Sequence, residues 1–298
     1  MSREERALPR GLGLWAGFLD RLAPSEAVSA AQSIERAGIG TIWLQEYSGV
    51  DPFVRAAMYL GATERLTVAL GVATIHARDP EAMVAVATTL HQAFPDRFAL
   101  GLGVSHRPLA EGRGGAYDRP LTAMRHYLDA MEDTLGRRVL PSRFLGALGP
   151  RMVELAGERT DGVHSYFAPI AHTAASRKAL GTEAWIAPTQ MVAIGAPRRG
   201  WHDQVRPYLG LCLGMQNYRD SLHRFGFAPA VLDAATDDLV EALIVSDDSS
   251  ALRERIRAQR RAGADHVVVQ FVPPPPAHKV LERIADGFGA SWSDGTDR

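Results

Sequence analysis

The side chains able to do chemistry gather where short apolar runs end. Gln45-Glu46-Tyr47-Ser48-Gly49, Ala73-Thr74-Ile75-His76-Ala77-Arg78 and Gly103-Val104-Ser105-His106-Arg107 are three such segments. His164-Ser165-Tyr166-Phe167-Ala168 and Pro188-Thr189-Gln190 are two more. They offer hydroxyls, amides, imidazoles and phenols, but few carboxylates. A Schiff-base enzyme needs a lysine at such a place. The only lysines are Lys178, in a stretch with a helical pattern, and Lys279, beyond the last apolar run. A zinc or binuclear hydrolase needs clustered histidines and acids, and the ten histidines are scattered with no His-x-His pair. A glycosidase needs two facing acids, and Glu46 alone presents one. Cys212, the single cysteine, can form neither an internal disulfide nor a thiolate cluster, as expected of a reducing cytosol. No metal is therefore expected. Hydroxyl, amide and backbone donors around an aromatic, apolar pocket suit a planar cofactor that carries the chemistry itself.

Two further features bear on a cofactor. Gly101-Leu102-Gly103 lacks the third glycine of a dinucleotide fingerprint and fits better a strand that bends or admits a ring close to its backbone. Arg107 to Gly115 holds two arginines and a run of free amides, a loop able to cradle a phosphate.

The elements that must position these residues follow from the pattern. The chain has 298 residues, 46% apolar and 22% charged, with a formal net charge of -1. That composition fills a core and rules out general disorder. The charge balance argues against nucleic acid as a partner, and no apolar run reaches membrane-spanning length. The N-terminal MSREERALPRG has no apolar signal segment, so a cytoplasmic protein is expected. Strand-like runs fall at 11–19, 41–45, 66–75, 97–104, 143–148, 161–167, 185–195 and 264–272. Helical patterns separate most of them, several opening on a cap and a proline, as in Asp51-Pro52 and Asp79-Pro80. Arg36-Ala37-Gly38-Ile39-Gly40-Thr41-Ile42-Trp43-Leu44-Gln45 is echoed 225 residues later by Arg261-Ala262-Gly263-Ala264-Asp265-His266-Val267-Val268-Val269-Gln270. Both read as a helix end, a glycine and a strand buried on both faces. Eight strand–helix units in one domain spanning 1–298 predict an α/β fold, the (β/α)8 TIM barrel. The excess length at 198–246 predicts a helical insertion between strands 7 and 8, with at least two helices, serving as a lid, as a packing surface for a partner subunit, or simply as a decorated helix layer. Residues 289–298 read as a solvated tail after the Pro273–Pro276 run.

With these residues in hand, the chain resembles the luciferase-like monooxygenase superfamily, in its F420-dependent oxidoreductase branch. The resemblance runs from about Gly11 to Phe271. Gly71-Val72-Ala73-Thr74-Ile75-His76-Ala77-Arg78-Asp79-Pro80 carries it, together with Asp96-Arg97-Phe98-Ala99-Leu100-Gly101-Leu102-Gly103-Val104-Ser105-His106. Tyr117-Asp118-Arg119-Pro120, Ala156-Gly157-Glu158-Arg159-Thr160-Asp161-Gly162 and Ala262-Gly263-Ala264-Asp265-His266-Val267 extend it.

The resemblance implies a cavity for a flavin or deazaflavin ring at the C-terminal mouth of the barrel. It implies a bulge with a non-prolyl cis peptide behind the ring at the end of the third strand, by position Thr74–Ile75. Ring contacts then fall to Thr74, Ile75, His76, Gly103, Val104 and Ser105, and phosphate contacts to Tyr117, Ser165 and Tyr166. Family members usually carry an acid followed by histidine after the second strand. Here the pair is Glu46–Tyr47, and a phenol with an ordinary pKa near 10 is a poor base at neutral pH. His106 becomes the leading candidate for the proton-handling group, ahead of His76, with Glu46 and Tyr47 beside it. Trp15 and Trp43 are assigned to the core.

The implied activity is hydride transfer between the C5 position of coenzyme F420 and a small organic substrate. FMN with O2, in a monooxygenase of the same superfamily, is the alternative, and a cofactor-free barrel kept as a binding or assembly partner is another. By the same resemblance the protein is expected to be a homodimer, and small side chains at Ala82, Ala85, Val86 and Ala87 permit close packing of an early helix.

Overall fold

The computed structural model describes residues 9, 11–47, 49–195 and 200–288. Residues 1–8, Arg10, Ser48, 196–199 and the tail at 289–298 lie outside the described residues, as do the readings of the N-terminus and tail made from sequence.

Ten strands are described: β1 Gly11–Trp15, β2 Thr41–Leu44, β3 Thr67–Leu70, β4 Ala73–Thr74, β5 Phe98–Gly103, β6 Ser142–Gly146, β7 Gly162–Ser165, β8 Trp185–Ala193, β9 Ile244–Ser246 and β10 His266–Val272. All pair in parallel. Eight of them close a barrel in the order β1-β2-β3-β5-β6-β7-β8-β10, with β10 returning to β1. β4 is a short extension paired with β5, and β9 adds to the end of β8. This is the predicted TIM barrel, and each of the eight predicted strands is present. The run at 11–19 is shorter as a strand than expected: it stops at Trp15, and Gly17–Arg21 forms a 3-10 turn.

The helices begin where local chemistry starts them. Asp51 accepts from the Phe53 and Val54 amides, Asp79 from Ala82, and Asp248 from Ser250 and Ala251. Each meets amide groups that the first helical turn leaves without partners. Between β8 and β9 lie four helices, Trp201–Leu213, Gln216–Arg224, Pro229–Ala234 and Asp237–Leu243. They fall within the stretch 198–246. Leu209, Leu222, Leu239 and Leu243 build a second core with Met191 and Ala193 of β8 and Val272 of β10. The insertion is thus packed onto the C-terminal ends of two barrel strands, with its own buried apolar face.

Barrel interiors are commonly filled by branched aliphatic residues. Here one side of the interior is aromatic: Trp15, Trp43, Phe144 and Trp185, with His164 and His266 stacked among them. The other side is made of small residues. A Cβ on Gly101 would lie 2.0 Å from the Leu70 carbonyl oxygen, and one on Gly103 would lie 2.3 Å from the Val72 side chain. Gly101 and Gly103 thus admit the Leu70 carbonyl, the Phe144 ring and the Val72 side chain at close range, and Trp15 and His164 of the aromatic cluster reach the cavity at the strand ends. Among the described residues no helix is long and apolar enough to cross a membrane.

Candidate active site

A cavity of about 710 Å3 opens over the C-terminal ends of the strands. Trp15, Gly71, Val72 and His164 line it at barrel level, and the inserted helices close one side with Cys212, Asn217 and Tyr218. A second cavity of about 640 Å3 adjoins it, sharing Glu46, Tyr47, Thr74 and Ser105, and reaches Arg78 and Arg113.

Glu46 and Tyr47 follow β2, and the structure gives them different work. Glu46 accepts the Thr74 amide at 2.8 Å with one carboxylate oxygen and pairs with the Arg78 guanidinium through the other. Arg78 also pairs with Asp51 and lies 4.5 Å over the Phe53 ring. Burial opposes its charge, but the two carboxylates outweigh that and hold its pKa above the ordinary guanidinium value. Both Glu46 oxygens are therefore engaged. Here the side chain ties the β2 end to the β4 loop. Tyr47 is 57% exposed at the rim of both cavities.

Past β3 the chain bends. The sequence reads as one strand from 66 to 75, but the pairing breaks between Leu70 and Ala73, and the non-prolyl cis peptide lies there, at Gly71–Val72. The expected Thr74–Ile75 position is corrected by three residues, because Thr74 is already paired with Gly103 in β4. Thr74 and Gly103 line the cavity, but Ile75 turns into the apolar core at 9% exposure. His76 does not line either cavity. Its ring sits beside Tyr117, and its pKa is lowered by burial and by Arg113, against a raising hydrogen bond to Val104.

After β5, Val104, Ser105 and His106 all face the cavity. Ser105 adopts φ +60°, a left-handed turn that costs a non-glycine residue energy. Its carbonyl accepts the Tyr117 hydroxyl at 2.9 Å, which fixes Tyr117 in the cavity wall. Burial raises the Tyr117 pKa against the nearby Arg107 charge. The loop expected to cradle a phosphate is partly helical, over Arg107–Glu111. Arg107 itself is spent on Glu111 and Asp118. His106 Nδ1 lies 2.7 Å from Asn217 Oδ1, and its ring meets Tyr218 edge-on at 4.8 Å. Burial lowers its pKa, with the Asn217 contact opposing.

At β7 the two-residue alternation of a strand decides the outcome. His164 and Tyr166 point inward and line the cavity, whereas Ser165 points away, 2% exposed, and does not. The expected phosphate contact Ser165 is thus not among the residues that line the cavity. The Tyr166 ring lies tilted against Trp15 at 5.1 Å and shares a hydrogen bond with Tyr208 of the insertion, which also accepts from Gln270. Burial drives the Tyr166 pKa well up, so its phenol stays protonated.

Several residues escaped the sequence reading. Trp15, assigned to the core, also forms cavity wall. His164 donates from Nδ1 to the Ala187 carbonyl at 2.8 Å, leaving Nε2 as a lone pair without a protein partner. Burial takes its pKa down to about 4, so it is neutral near pH 7. Its place two residues before Tyr166 was the available signal. Asn217 and Tyr218 had none, since nothing local marks which helical residues of an insertion face a distant strand end. No group of three or more His, Cys, Asp or Glu able to hold a metal exists among the described residues.

A sequence model described as luciferase-like monooxygenase matches residues 15–266. A putative coenzyme F420-dependent oxidoreductase of Mycobacterium tuberculosis is 25% identical over 329 aligned positions, covering 87% of this chain and 94% of the relative. Among solved structures, the coenzyme F420 dependent tetrahydromethanopterin reductase from Methanopyrus kandleri superposes with a TM-score of 0.72 at 15% identity, over 96% of this chain and all of that one. The oxygenating constituent of 3,6-diketocamphane monooxygenase from Pseudomonas putida, in complex with FMN, gives 0.65 at 15% identity, over 95% and 99%. At those identities the two structures speak to the fold.

Proposed function

We propose that this chain, which belongs to the luciferase-like monooxygenase family, is an oxidoreductase that passes a hydride between a bound deazaflavin of the coenzyme F420 type and a small organic substrate. The observation that carries the reading is the cavity itself: about 710 Å3 at the strand ends, largely apolar and aromatic, with phenols and imidazoles in its wall and no cluster suited to a metal among the described residues. The likeness to a relative named as F420-dependent supports the choice of ring.

The residues present fit such a group. Gly71, Gly103 and Gly146 line the cavity together with Val104 and Ser105, and the space beside these glycines is filled by Trp43, Trp15 and Val72. Tyr117 and Tyr166 offer phenols, and Arg151 and Arg224 with the N-terminus of the helix Pro150–Arg159 give a cationic rim for an anionic tail. When bound, the deazaflavin supplies two-electron hydride chemistry. The protein's part is to align the partners, exclude water and move a proton. His106 is the proton-handling residue in this reading, Tyr47 a rim donor and Glu46 a positioning residue.

Titration of the pure protein with coenzyme F420 and, separately, FMN, followed by tryptophan quenching, tests this. Trp15 lines the cavity with Trp43 close behind, so a bound ring quenches their emission. Tight F420 binding with much weaker FMN binding is expected. The reverse order supports the second reading, a monooxygenase using reduced FMN and O2, which the FMN-bound structural neighbour favours. Binding of neither removes both and leaves a cofactor-free barrel. The same reading expects a homodimer, which sedimentation velocity checks.

A further inference from the structure

We infer that Asn217 is a positioning residue that locks His106 in its Nδ1–H tautomer, so that Nε2 stands in the cavity as the proton acceptor for a hydroxyl-bearing substrate. The inference deepens the oxidoreductase reading, naming the group that handles the proton and giving the insertion a task in the site.

The geometry is short. His106 Nδ1 and Asn217 Oδ1 are 2.7 Å apart. With the amide oxygen in that position, which only accepts, the Nδ1–H tautomer is the one that makes a hydrogen bond, since two lone pairs at this distance would repel. A neutral imidazole carries one ring proton, which leaves Nε2 with its lone pair. The Tyr218 ring, edge-on at 4.8 Å, holds the imidazole plane from the neighbouring position on the same helix. His106, Asn217 and Tyr218 all line the cavity, and no protein donor meets Nε2 among the described residues.

The surroundings keep this imidazole neutral. Burial lowers its pKa, only partly offset by the Asn217 contact. Of the titratable groups facing the same space, Tyr117 and Tyr218 are raised by burial and Cys212 is pushed up to about 12, so all three stay protonated near neutrality. The formal charges lining the cavity beyond them belong to Glu46, Asp220, Arg151 and Arg224, and Arg107 is turned to Glu111 and Asp118. A neutral base flanked by apolar walls calls for a ligand with a donor. A hydroxyl fits that demand: its proton would pass to Nε2 while the hydride on its carbon would pass to the oxidised deazaflavin of the proposed reading, leaving a carbonyl.

The test uses the full chain, 15N-labelled at histidine, with long-range 1H–15N correlation and the His106→Gln variant to assign the ring. The expected wild-type pattern is Nδ1 protonated and Nε2 unprotonated at pH 7, with Nε2 taking the proton as the pH falls. Asn217→Ala is expected to give mixed tautomers. Asn217→Asp keeps Nδ1–H but places a carboxylate on it, raising the His106 pKa by about one unit or more. A wild-type Nε2–H tautomer, or variants that move neither tautomer nor pKa, overturns the inference. Cyclohexanol in excess should shift the Nε2 resonance while cyclohexanone leaves it in place; an equal response to both, or to neither, overturns the hydroxyl part. Neither measurement uses a deazaflavin, so failure of the F420 titration leaves this result standing.

Discussion

Trp43 Nε1 donates to His266 Nε2 across 3.0 Å in the barrel interior, joining residues 223 positions apart in the chain. The bond runs over Gly13, where a Cβ would lie 2.4 Å from that imidazole nitrogen and 2.7 Å from the indole nitrogen. Gly13→Ala is therefore expected to break or displace the pair and to cost about 1–3 kcal/mol, the range for overpacking a filled core. Gly40, with nothing within 4 Å of its would-be Cβ, is the control. Denaturant unfolding that shows equal stability for Gly13→Ala and Gly40→Ala would refute this account of the interior.

Glu46 offers a second test. Its side chain is 4% exposed and holds both the Thr74 amide and Arg78. Glu46→Gln keeps an acceptor for the amide but removes the charge facing a largely buried guanidinium, at a cost of about 3 kcal/mol. The melting midpoint should drop and F420 binding should weaken together, because the loop carrying Thr74 is what the carboxylate anchors. A variant that melts like the wild type yet loses turnover would return Glu46 to acid–base duty.

The pH dependence of stability follows from two buried histidines. Burial takes His164 and His172 from an ordinary 6.5 down to about 4. Both are neutral in the fold, so below pH 6.5 the unfolded chain binds protons that the native state refuses. The stability they represent is fully present above 6.5 and is lost as the pH falls toward 4, by about 3 kcal/mol each. Unfolding midpoints measured from pH 7 to pH 4.5 should decline, and His172→Leu should decline less steeply. A flat profile for the wild type contradicts the assignment.

Cys212 gives an inexpensive check on the insertion. Its thiol is buried where the inserted helices meet the barrel, and burial pushes its pKa up to about 12. A thiol disulfide reagent at pH 8 should react slowly with the native protein and at once with the denatured chain. Fast native reaction would mean that the insertion is not docked as described.

The elements were legible because their signals are local. Asp51-Pro52 and Asp79-Pro80 start helices by capping the chain's own first turn, and continuous apolar runs such as His266–Val272 mark strands covered on both faces. Eight such units in order leave a closed parallel barrel as the packing that buries every apolar face. The same ordering brought Glu46, Thr74, Gly103, Ser105 and His106 to one end of the barrel.

Side-chain direction and distant partners were not local, and the sequence alone left them open. Whether Ser165 or its neighbours His164 and Tyr166 face inward depends on the register of β7 against β6 and β8, since a shift of one residue exchanges the two faces. Glu46 read as an acid until Arg78, 32 positions away, was found on it. His106 meets its partners Asn217 and Tyr218 only 111 and more positions later, on a helix folded back over the strand ends. Backbone propensity and apolar spacing act over a few residues and determine the barrel. Hydrogen bonds between segments far apart in the chain determine which nitrogen carries a proton, and those bonds exist only once the barrel has closed.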